Sequence, residues 1–239
     1  MYGGLKSLLR RCVDTAFRTI LDVVYPPLCA SCHRRLTSSE QGVCVFCASK
    51  LVPYRPERWH AEERLWSVPA FRNLYSIYVY SKEQTIQEAI HAYKYHAYAS
   101  FARMMTQRAV LTLPLSGGGY DLIIVVPTTY QHILDRGYNQ ALIFAQYIAK
   151  ALGEVEVSDQ YILRDERAKS QTLLGRWGRQ QNALGHFYCN PRKHVDLSKR
   201  HILVVDDVLT TGATLCAVLS LLEQSGAKQI DVLTATVAV

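Results

Sequence analysis

The chain has 239 residues, 49% of them hydrophobic and 20% charged, with 13 glycines and 8 prolines. That balance excludes a disordered or collagen-like chain and suits one α/β domain plus a small module. The formal net charge is +7, and the surplus gathers toward the N-terminus, as either a phosphate-attracting face or an ordinary solvated surface.

Residues 1–25 place Leu5, Leu8, Leu9, Cys12, Ala16, Ile20 and Val24 at near-helical spacing. Arg10, Arg11, Asp14, Arg18 and Asp22 interrupt the apolar run, which argues against a secretory leader. The segment reads as an amphipathic helix packed on the rest of the protein, with association to a membrane surface as the alternative. No run of about eighteen uncharged apolar residues is present, so no spanning helix is expected.

Residues 26–52 carry Cys29, Cys32, Cys44 and Cys47, two C-x-x-C knuckles. Four thiolates so spaced can close a tetrahedron around zinc, and a closed shell builds structure and does not catalyse. The expected compartment is the cytoplasm, where thiols stay reduced and disulfides are disfavoured. His33 reads as a surface residue. Cys189 and Cys216 are isolated and read as small buried apolar groups.

Residues 53–67, with Pro53, Pro56 and mixed charges, read as a linker, and 68–239 as the main domain. Leu74–Tyr80 alternates like a strand. Ile86, Ile90, Tyr93, Ala97, Phe101 and Met104 make a helical stripe. Ser116–Gly119 is a turn. Leu122–Val126 and Ile202–Val205 are apolar runs suited to buried parallel strands. Helices are expected at about 138–152 and 213–225, strands at 161–164 and 230–237, and a polar loop over 165–185. Strands alternating with helices give an α/β fold with a parallel sheet covered on both faces.

The chemistry concentrates at 202–214. A buried strand runs into Asp206 and Asp207, and Thr210, Thr211, Gly212, Ala213 and Thr214 then open a helix. Hydroxyls and backbone N–H groups at a helix N-terminus suit a phosphate. Two carboxylates beside it need another partner, and sugar hydroxyls or Mg²⁺ fit that role. No Walker lysine is present, so this is not that type of P-loop.

This segment closely resembles the phosphoribosyl-pyrophosphate (PRPP) loop of type I phosphoribosyltransferases. With four cysteines upstream, the whole chain is similar to the ComF family, including its GntX-type members. Val126-Pro127 and Arg136-Gly137-Tyr138-Asn139-Gln140 resemble one family stretch; Arg164, Gln171, Arg179, Asn182 and Phe187 resemble a second. The family's His-Pro after the V-P pair is replaced by Thr129-Tyr130, with His132 following.

The resemblance implies a type I phosphoribosyltransferase-like parallel sheet flanked by helices, with a small N-terminal four-cysteine zinc ribbon. It implies PRPP as ligand, Mg²⁺ with it, and a role in competence for DNA uptake. Asp206 and Asp207 would act on the ribose, and the 210–214 loop on the 5′-phosphate. Arg136, Gln171 and Arg179 would belong to the pyrophosphate loop and hood. Two functions stay open: phosphoribosyl transfer to an unnamed acceptor, and non-catalytic binding of single-stranded DNA on the same scaffold. For the latter, Tyr93, Lys94, Tyr95, His96 and Tyr98 interleave rings and cations as single-strand binders do.

Overall fold

In the computed structural model, which describes residues 26–80, 86, 88–90, 99–114, 119–165, 186–193 and 195–239, the chain passes through fourteen named elements. These are α1 (Val45–Ala48), α2 (Pro56–Trp59), a 3-10 turn (Ala61–Leu65), β1 (Phe71–Tyr80), α3 (Ala99–Thr112), β2 (Leu122–Val125), α4 (Tyr130–Arg136), α5 (Gln140–Ala151), β3 (Val157–Ser158), β4 (Ile162–Arg164), β5 (Phe187–Cys189), β6 (His201–Leu209), α6 (Ala213–Gln224) and β7 (Gln229–Ala238). The helix expected over 5–24, the Tyr93–Tyr98 cluster and most of 165–185, with Gln171 and Arg179, lie outside the described residues.

Five strands form a parallel sheet in the order β1-β7-β6-β2-β3. Side chains alternate faces along a strand, so each apolar run feeds two cores. Ile123, Val125, Leu203, Val205 and Leu233 pack with α3 and α5, whereas Leu122, Ile124, Ile202, Val204 and Val232 pack with α6. Burial on both faces is why these runs are continuously apolar.

Three details depart from the expected pattern. The strand expected at 161–164 is not in the main sheet: β4 pairs antiparallel with β5 as a separate hairpin. The edge of the main sheet is β3, two residues with no apolar run to announce them. The helix expected from 138 begins at Gln140, because the Asn139 side chain caps it by accepting from Ala141 N–H at 3.0 Å.

The cysteine module shares the α3/α5 core through Leu36, Val43 and Leu51. It approaches closely at Gly42, whose φ is +69° and where a Cβ would lie 2.8 Å from the Phe101 Cα. Ser31 also donates to Glu88 at 2.6 Å. Residues 53–67, expected as a linker, run along the sheet: Tyr54 N–H donates to Ile77 O at 3.1 Å, and Ala61 and Leu65 are fully buried.

At the opposite end of the sheet from the acid pair, the fully buried Asp231 gathers four bonds. Asn73 donates from backbone and side chain at 3.1 and 3.0 Å, Tyr120 Oη donates at 2.9 Å, and His201 Nε2 lies at 3.1 Å. Burial pushes the Tyr120 hydroxyl well above the ordinary range, and Asp231 adds to this; burial and Glu62 do the same to Tyr54. A folded pKa above the unfolded value gives stability present below about pH 10 and lost above it, as the unfolded tyrosines ionise. The urea midpoint is therefore expected to stay level through mildly alkaline pH and fall above about pH 10. Tyr120→Phe should flatten part of that fall.

Candidate functional site

Below Val125 the strands β2 and β6 run in register, and Val126 N–H makes a last bond to Val205 O at 3.0 Å. There β2 ends while β6 continues four residues farther, paired among the described residues only with β7, through Asp206, Val208 and Leu209. The chain after β2 turns to α5 on one face, and the chain after β6 turns to α6 on the other. Loops that part to opposite faces leave a crevice at the carboxyl ends of the strands.

That crevice encloses about 220 Å³. Val126, Pro127 and Thr128 line one side; Asp206, Asp207, Val208 and Thr214 line the other; His132, Asn139, Gln140, Ala141 and Arg164 complete it. Asp206 and Asp207 thus lie in the strand itself, half-buried, and not in the turn after it. Asp206 Oδ1 accepts the Asp207 backbone N–H at 2.8 Å, which fixes the Asp206 carboxylate against its own strand.

Thr210 and Thr211 are exposed, and Gly212 is the N-cap of α6 at φ +83°. A glycine cap has no side chain to bond the first-turn N–H groups, and the Thr211 hydroxyl accepts only weakly from Ala213 N–H, at 3.5 Å. No acidic residue sits in the first turn. The N-terminal N–H groups and dipole therefore favour an anion. Gly212 is also pressed on Arg64, where a Cβ would meet Arg64 Cβ at 3.0 Å and Arg64 O at 3.1 Å. Gly212→Ala is expected to cost about 1–3 kcal/mol through left-handed strain. Thermal unfolding would read that loss, and anion affinity at the loop should fall with it.

Among the residues the sequence nominated for pyrophosphate, Arg136 closes α4, and its side chain lies outside the described residues. Asn139 is occupied as a helix cap, with Nδ2 also 3.4 Å from Val126 O. His132, the residue that departs from the family pattern, lines the crevice with its Nδ1 3.3 Å from the Thr128 hydroxyl. Arg164 lines it from β4, its guanidinium 5.4 Å from the Phe187 ring centre. Sequence reasoning missed Arg64, which stands 146 residues before Thr210 and carries no motif.

The second cluster is Cys29, Cys32, Cys44 and Cys47, whose Sγ atoms all lie within 4.8 Å of one another. Cys32 is exposed and the other three are buried. Cys44 N–H donates to Cys29 Sγ at 3.3 Å, the kind of bond that steadies a metal-bound thiolate. Burial opposes ionisation of Cys44, but bonds from Cys47 and the neighbouring thiols outweigh it and hold this thiol down at about 7. Four converging sulfurs fit a tetrahedral metal such as zinc. His33 stays outside the cluster and exposed, as expected of a surface residue. Cys216 is buried, whereas Cys189 is only half-buried and faces the Ser225 hydroxyl at 3.2 Å, short of the full burial expected of it. Among the described residues no helix is long and apolar enough to cross a membrane.

Residues 139–238 match the family described as phosphoribosyl transferase domain. The chain is 26% identical over 227 residues to DNA utilization protein YhgH of Salmonella typhi, spanning 87% of this chain and 95% of that one. It is likewise 26% identical over 227 residues to Competence protein F of Haemophilus influenzae, spanning 93% of this chain and 94% of the relative. A 107-residue stretch is 35% identical to Competence protein ComFC of Streptococcus pneumoniae, covering 45% of this chain and 44% of that one.

Proposed function

We propose, from the premise that this chain belongs to the ComF competence-protein family with a phosphoribosyltransferase-like domain, that the crevice binds PRPP or a related phosphorylated sugar. The observation that carries the reading is one cleft holding an acid pair beside a helix N-terminus with no side-chain cap. The loop over Thr210, Thr211, Gly212, Ala213 and Thr214 anchors the 5′-phosphate. Asp206 and Asp207 accept the ribose hydroxyls and would balance positive charge developing on the ring. By the family resemblance, Arg136, Gln171 and Arg179 would bind the pyrophosphate end. Mg²⁺, when bound with the ligand, neutralises pyrophosphate charge, and the acid pair is the group suited to hold it.

The domain is joined to a structural zinc module at 26–52, and the protein acts in the cytoplasm in DNA uptake and competence. A non-catalytic single-strand-binding role is the second reading. It is favoured by Phe46, 65% exposed on the cysteine module with the Arg34 guanidinium 5.2 Å from its ring centre. Rings and cations so placed suit bases and phosphates.

Calorimetric titration with PRPP, with and without Mg²⁺, tests the first reading. Saturable, Mg²⁺-dependent binding is expected. A folded, metal-loaded protein that binds no PRPP would overturn it, and steeply salt-dependent binding of an oligonucleotide would then favour the second.

A further inference from the structure

We propose that Arg64 is a positioning residue that holds the anion-binding loop in shape from behind, linking it to the segment that leaves the cysteine module. Arg64 Nη1 donates to two carbonyls, Thr210 O at 2.5 Å and Ala238 O at 2.9 Å. One cation therefore ties the loop after β6 to the end of β7. The Arg64 carbonyl in turn accepts from Cys216 Sγ at 3.2 Å, near the start of α6. Gly212 packs on the Arg64 stem and carbonyl, so the loop has no room to slide toward it.

The segment bearing Arg64 is itself fixed. Ala61 and Leu65 are fully buried. Tyr54 Oη accepts Ala61 N–H at 3.2 Å and donates to Glu62 Oε2 at 2.6 Å. Farther along, Ala70 N–H donates to Glu223 Oε1 at 2.9 Å, so the strap follows α6 from its first turn to its last. Fixed behind the loop, the guanidinium also adds positive charge near the phosphate position without touching the ligand. A loop pre-shaped in the free protein does not have to be ordered when the ligand arrives, which favours binding.

The role in ligand binding rests on the PRPP reading; the role in loop order does not. Two variants separate them. Arg64→Met keeps the apolar stem that packs on Gly212 and removes charge and donors. Arg64→Lys restores one cation able to donate to both carbonyls. In the full chain, Arg64→Met is expected to speed amide hydrogen exchange about tenfold or more at residues 211–215, with exchange in β2 and β6 unchanged, and Arg64→Lys to reverse most of it. PRPP affinity with Mg²⁺ should fall about ten- to a hundredfold in Arg64→Met and within about threefold in Arg64→Lys. Unchanged exchange at the loop, or acceleration spread evenly over the sheet, overturns the assignment. A wild-type protein that binds no PRPP overturns the reading of the cleft, while the exchange comparison still decides the role of Arg64.

Discussion

Replacing Asp206 and Asp207 together by asparagine is expected to weaken PRPP binding about a hundredfold while leaving the fold intact. Asparagine matches aspartate in shape, and its carbonyl can still accept the Asp207 backbone N–H that Asp206 now takes at 2.8 Å. What is lost is two ionised acceptors, each worth about 1.5–3 kcal/mol to a hydroxyl partner. A competing effect has the opposite sign, because two negative charges beside a phosphate repel it by Coulomb's law. Inorganic phosphate, which has no ribose, feels only the repulsion. The same double substitution should therefore weaken PRPP and tighten inorganic phosphate. Titration of both ligands into both proteins reads the two signs. If PRPP and phosphate shift in the same direction, the carboxylates do not hold a sugar.

Cys44→Ser should remove the metal and lower the melting temperature of the whole protein. Cys44 is almost fully buried, and its sulfur stands 3.7 Å from that of Cys32. Structural zinc in small Cys/His modules contributes about 10 kcal/mol or more to their folding. The module is not a detachable bead: Gly42 lies against the α3 backbone, and Leu36, Val43 and Leu51 belong to the core that also contains Phe101 and Phe144. Losing even about 4 kcal/mol of that support corresponds to about 10 °C for a domain of this size. Metal analysis should find one zinc per chain in the wild type and none in the variant. Equal melting temperatures for the two proteins would mean that the cysteines do not hold a structural metal.

The central strands could be read in advance because burial on both faces forces an unbroken apolar run, as in Leu122–Val125 and Ile202–Val205. The helix after the acid pair was equally legible, since a glycine beside small hydroxyl residues marks a helix start. Such signals are local. Nothing local marks β3, whose two residues become a strand only because β2 offers them an edge. The β4–β5 hairpin was equally hidden: Ile162 is apolar like a sheet residue, but its partner is Cys189 and not a strand of the main sheet.

The site divides along the same line. By itself the sequence determined its chemical inventory: four thiols at metal spacing, two adjacent carboxylates, and a threonine-rich turn at a helix start, each contiguous and carried by side-chain type. The tertiary structure decided the rest. The acids became a cleft wall because β2 ends at Val125 while β6 goes on, and a difference in strand length between neighbours is invisible in either strand alone. His132 and Arg164 entered the lining, and Asn139 was drawn into a cap. Arg64 reached the loop across 146 residues of chain because the buried Ala61 and Leu65 pin its segment beside α6. Contacts of that span are fixed by the packing of apolar faces, which specifies where elements meet without leaving a motif at the residues that meet there.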